Sequence, residues 1–133
     1  MTPDQMTDEQ LHQAVAAGDL PAGTFGHLEH VRVAWWLVRE GAGTAGSRMR
    51  EAIHGFTGKH GLPDVYHETK TTGWLRVLQD AVTRCPEATF AAFAKACPEV
   101  LDSRHLLKFW SGEVLEGADA KARWIEPDLC ALP

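Results

Sequence analysis

The chain has 133 residues, 44% of them apolar, which suits one domain with one ordinary core. Lys and Arg total 13 against 18 Asp and Glu, a net charge of −5 with no block of like charges, which argues against nucleic acid or an anionic membrane as partner. No basic-then-apolar leader opens the sequence and no apolar run reaches bilayer length, so the expectation is a cytoplasmic protein with no membrane partner.

Strand-like alternation is absent, while helical spacing and helix punctuation recur throughout, so the fold class is all-α. A first helix runs from about Thr7, with Gln10 three residues on as its capping-box partner, to Gly18, with Pro21 beyond. The second starts near Thr24 and stops at Gly41, and the third lies between about Ser47 and Gly61. A fourth runs from His67 to Arg84 and is stopped by Pro86; a fifth, EATFAAFAKA, ends before Pro98. Three shorter pieces follow, DSRHLLKFW with Asp102 or Ser103 as cap, SGEVLEG and DAKARW. The last stretch, IEPDLCALP, has no period and should lie extended over the helices. The expected architecture is a compact single-domain bundle over residues 1–133: about five main helices, short C-terminal helices and an extended tail. Cys85, Cys97 and Cys130, odd in number and widely spaced, form neither a disulfide framework nor a zinc ribbon.

Projected at about 100° per residue, the second helix has an apolar arc of Leu28, Val31, Ala34, Trp35, Leu37 and Val38, and both His27 and His30 fall inside it. Arg32 sits on the edge of the polar face and reads as solvated. On the third helix the stripe of Met49, Ile53 and Phe56 continues to His60, with His54 on the other side. On the fourth, Trp74, Val77, Leu78, Ala81 and Val82 form the arc, with His67 near its centre, Thr71 beside it and Glu68 on its shoulder. Antiparallel neighbours joined by short connections would bring His27, His30, His60 and His67 to one end of the bundle. Positive potential at helix N-termini keeps His27, His30 and His67 neutral, the form that coordinates metal.

Three neutral imidazoles beside a carboxylate suit a divalent transition metal, Fe, Zn, Ni, Cu or Mn. The ligand set is His27, His30 and His67, with His60 or Glu68 as fourth ligand or support. An open coordination position marks a catalytic site, and Glu68, off the metal, is the natural general base, with Tyr66 and Thr71 hydrogen-bonding the substrate. The expected function is a small metal-dependent enzyme that activates water or dioxygen on a small organic molecule. The alternative is a non-catalytic small-molecule-binding or interaction protein with a metal-free, histidine-lined pocket, since a histidine on an apolar face is commonly a hydrogen-bonded core residue. A homodimer is compatible with either. Trp110 and Trp124 read as core or tail-packing aromatics, Arg123 as the structural partner of Asp102 or Asp128, and Lys70 as an anion contact at the margin.

The HxxHxR of FGHLEHVRVAWWLV, the HG of His60 and Gly61, the YHET of Tyr66 to Thr69, and LLKFWSGEVL with AKARWIEPDLCALP resemble a group of small helical bacterial proteins. The resemblance spans nearly the whole chain. It implies one compact domain, adds no mechanism, and sets Lys70 where such relatives carry an apolar residue.

Overall fold

The computed structural model describes residues 1–133, and the chain is all-α, with seven helices, five short 3₁₀ turns and no strand. Two compact units divide the chain, Met1–Tyr66 and His67–Pro133.

The first unit holds α1 (Asp8–Ala17), α2 (His27–Glu40) and α3 (Ala42–Lys59), which pack against one another in all three pairings. α1 is bounded as its sequence dictates. The Gln10 amide donates to Thr7 Oγ1 at 3.1 Å, the Thr7 amide to Gln10 Oε1 at 3.0 Å, and Gly18 ends the helix in the left-handed region at φ 72°. A second glycine sets the spacing of two helices: a Cβ on Gly55 of α3 would overlap the Ala16 carbonyl of α1. α2 touches both neighbours, so its buried face is wider than one stripe. Val33, outside the projected arc, is buried, while Leu28, inside it, is 51% exposed in the first turn. α3 starts five residues before Ser47, at Ala42, immediately after the break at Gly41. Gly43 and Gly46 read as loop by propensity, yet Ala45 and Met49, fully buried or nearly so, hold that turn in the helix.

Arg32 corrects the reading of a solvated side chain. Its Nε donates to Asp8 Oδ1 at 2.8 Å, Nη1 to the Pro3 carbonyl at 2.9 Å and Nη2 to the Met6 carbonyl at 2.7 Å. The guanidinium thus fixes residues 3–8 to α2, a use of its planar fork that lysine could not match.

The second unit holds α4 (Glu68–Arg84), α5 (Phe90–Ala96), α6 (Gly112–Leu115) and α7 (Ala118–Ala122), with 3₁₀ turns at Pro98–Leu101 and His105–Lys108. α5 begins later than EATF suggests because Thr89 is its cap, its Oγ1 accepting from the Ala92 amide at 3.2 Å. Val77, Leu106, Phe109, Trp110 and Leu115 form a core on which Trp74, Val114, Trp124 and Leu132 pack. Trp110 and Trp124 meet edge to face, centroids 5.5 Å apart, as core and tail-packing aromatics. Residues 123–133 carry no helix, and main-chain bonds fix them: Trp110 Nε1 donates to the Ile125 carbonyl at 2.9 Å, and the Leu129 amide to the Phe109 carbonyl at 2.9 Å. Arg123 pairs with neither Asp102 nor Asp128 but lies 3.8 Å from Asp119, one helical turn away, while Asp128 accepts from the Ser111 amide at 2.8 Å. The buried Cys97 thiol donates to Glu99 Oε1 at 2.9 Å, and this burial and pairing push its pKa up to about 12.

Candidate functional site

In the first unit the helix-start chemistry of α2 sets up His27 and His30. Gly26 is the N-cap, and its amide donates to Glu29 Oε1 at 2.9 Å. This leaves His27 at the first helical position and His30 one turn on, both half-buried, as the projection anticipates. The His30 ring stacks on Phe25, centroids 3.8 Å apart and planes within 10°. Phe25 in turn meets Phe56 edge-on at 4.9 Å, and Phe56 meets His60 at 4.5 Å. A run of four rings therefore ties the start of α2 to the end of α3. Burial, aided by the neighbouring His27, lowers the His30 pKa to about 4, so this imidazole is neutral across the physiological range.

His60 does point inward, but its Nε2–H donates to the Leu20 carbonyl at 2.7 Å, closing the loop between α1 and α2 onto the end of α3. Tyr66, expected to touch substrate, sets its ring 4.4 Å from that of His54.

In the second unit His67 is the N-cap of α4, and both of its ring nitrogens are engaged. Nδ1 accepts from the Lys70 amide at 3.0 Å, and Nε2–H donates to the Leu115 carbonyl at 2.7 Å. One neutral tautomer alone satisfies both bonds, with the proton on Nε2. Burial holds its pKa below the ordinary histidine value. Thr71 Oγ1 donates to the His67 carbonyl at 2.8 Å, a bond within its own helix. Glu68 accepts from Thr72 Oγ1 at 3.4 Å, and Lys70 Nζ meets Glu116 Oε1 at 2.8 Å.

Of the proposed ligand set of His27, His30, His67 and His60, His67 has both ring nitrogens engaged by main chain, His60 donates from Nε2 to a carbonyl, and the His30 ring stacks on Phe25. No three His, Cys, Asp or Glu side chains stand together with the geometry to hold a metal ion. Of the expected catalytic group, Tyr66 belongs to the first unit, and Glu68 and Thr71 each bond within α4.

The sequence reading missed Thr69. Fully buried, its Oγ1 donates to the Arg123 carbonyl at 2.7 Å and accepts from the Ile125 amide at 3.1 Å. YHET and RWIEPDL are thus halves of one structural joint, in which His67 and Thr69 of the first motif hold main chain that precedes and follows α7. The available signal was a hydroxyl residue inside a capping motif, matched by a proline-bearing tail that needed an anchor.

Compared with protein-family models, with curated proteins and with solved structures, the chain matches none.

Proposed function

We propose that this chain is a binding or interaction protein that works without a resident metal, and that it takes a small organic molecule at the first turn of α2. One observation carries the reading: both His67 ring nitrogens are spent on main-chain groups, which removes the third imidazole from the enzyme the sequence suggests. What remains for recognition is the His27–His30 turn. A neutral imidazole can both donate and accept a hydrogen bond, and the stacked Phe25 gives it an apolar wall. Leu28, 51% exposed in the same turn, adds apolar surface for a ligand to cover.

Two measurements test this. Untagged protein, equilibrated in turn with Fe, Zn, Ni, Cu and Mn ions and freed of excess, should retain less than one metal per chain, with no difference in His27→Ala, His30→Ala or His67→Ala. Stoichiometric metal lost in all three variants with helicity kept would overturn the reading and restore the enzyme with Glu68 as base. In a screen of small aromatic fragments by amide NMR, shifts should concentrate on residues 25–30. Fragments that shift other surfaces and leave this turn untouched would also overturn it.

A further inference from the structure

We propose that residues 123–133 lie in a peptide-recognition groove of the second unit, and that the groove takes an extended segment of a partner protein bearing a tryptophan and, four residues on, a carboxylate. The pattern of bonds points there. The Thr69 hydroxyl grips the main chain on both sides of Trp124, donating to the Arg123 carbonyl at 2.7 Å and accepting from the Ile125 amide at 3.1 Å. Trp110 Nε1 donates to the Ile125 carbonyl at 2.9 Å, so side chains of the groove read both polar main-chain groups of that residue. Further on, the Leu129 amide donates to the Phe109 carbonyl at 2.9 Å. None of these bonds asks for a particular side chain at 123, 125 or 129. Extended peptides are held in this way: main-chain bonds supply affinity, and pockets at a few positions supply choice.

Two positions carry the choice. The Trp124 indole meets Trp110 edge to face, centroids 5.5 Å apart, and has the Arg76 guanidinium over its ring at 4.5 Å. The Asp128 carboxylate accepts from the Ser111 amide at 2.8 Å.

The groove is firmly built and its occupant is lightly held. Trp110 and Thr69 are fully buried, and Gly73 of α4 makes the seat for Trp110, since a Cβ there would lie 3.0 Å from its ring. By contrast, no residue from 123 to 133 is buried, and Leu129 is 60% exposed. Such a segment gives up little on leaving, whereas the surface beneath it is braced by α4 and by the core of Val77, Leu106 and Leu115. Residues 123–133 therefore act as a resident competitor. A second copy of the chain would offer the contacts each copy already makes within itself, with no surplus to offset the cost of association. A partner protein adds surface of its own, and that difference selects it as the occupant. The groove belongs to the second unit alone and stands apart from the small-molecule site proposed at α2.

The probe is a dye-labelled peptide of residues 121–133 with Cys130→Ser, added to the full chain and followed by fluorescence anisotropy. In Trp124→Ala/Ile125→Pro the resident segment loses its indole and the amide that bonds Thr69. This variant should bind the peptide about tenfold more tightly than the wild type, where the probe competes with a tethered segment. Adding Thr69→Val should weaken binding about tenfold, and Thr69→Ser should leave it nearly unchanged. A peptide that itself carries Trp124→Ala should bind poorly. If Trp124→Ala/Ile125→Pro loses helicity, the peptide should restore it in proportion to occupancy, as read by circular dichroism. Three results overturn the groove: neither binding to this variant nor recovery of its helicity, equal binding to it and to the wild type, or binding indifferent to Thr69→Val. A wild-type dimer that Thr69→Val dissolves, with no peptide uptake, assigns the groove to a second copy and overturns the partner.

Discussion

Gly55 of α3 and Ala16 of α1 meet main chain to main chain, with no room for a methyl group between them. Hydrogen is the largest substituent that lets these helices approach. Gly55→Ala should therefore destabilise the first unit by about 3 kcal/mol, because the obstacle is backbone that cannot rotate aside. Urea unfolding of the variant measures this, and a loss under about 0.5 kcal/mol would show that the helices can separate at little cost.

Thr69 should be worth more than its size suggests. Thr69→Val keeps the shape and strands the Arg123 carbonyl and the Ile125 amide, at a cost of about 2 kcal/mol. Thr69→Ser, which keeps the hydroxyl, should recover most of it. Hydrogen exchange at the Ile125 amide reports the joint directly: rapid exchange in Thr69→Val and slow exchange in the wild type.

Removing the Arg32 fork should release the N-terminal segment. In Arg32→Met the Pro3 and Met6 carbonyls and the Asp8 carboxylate lose their shared donor, so residues 1–7 become sensitive to limited proteolysis. The expected loss in stability is about 1–3 kcal/mol. Arg32→Lys, with one point charge in place of a planar fork, should protect the segment only in part. Equal protection in Arg32→Lys and wild type would mean that charge alone is enough.

His30 should make the first unit sensitive to acid. Its folded pKa of about 4 lies below that of an unfolded histidine, so as pH falls from about 6.5 the unfolded chain takes up a proton that the folded ring refuses. Stability drops by up to about 3 kcal/mol down to pH 4 and is then flat with respect to this group. Subtracting the pH profile of His30→Leu from that of the wild type isolates the effect, because the other titrating groups cancel. A difference that does not change between pH 6.5 and 4 would place the ring in water.

Local signals carried much of the architecture. Thr7 with Gln10 and the left-handed Gly18 bounded α1 correctly because caps and turns are decided within a few residues. The start of α3 was misplaced because Gly43 and Gly46 weigh against helix until the burial of Ala45 and Met49 is known, and that burial is tertiary. For the histidines, periodicity found the face and missed the partner. It put His60 and His67 inward, but their carbonyl partners lie 40 and 48 residues away, at Leu20 and Leu115, and helical projection has no access to such distances. An inward imidazole looks the same in sequence whether it meets a metal or a main-chain oxygen. Thr69 escaped because its donor and acceptor partners belong to a tail without periodicity.

The three cysteines stand at three depths: Cys130 exposed on a tail segment whose amide lies 3.4 Å from the Phe109 carbonyl, Cys85 half-covered, and Cys97 enclosed with its proton committed to Glu99. Reactivity toward a thiol-seeking reagent follows thiolate content and access, so the three fall into a built-in order. A maleimide dye added in limiting amount will mark Cys130 first, giving the native chain a spectroscopic handle on the second unit with no engineered residue.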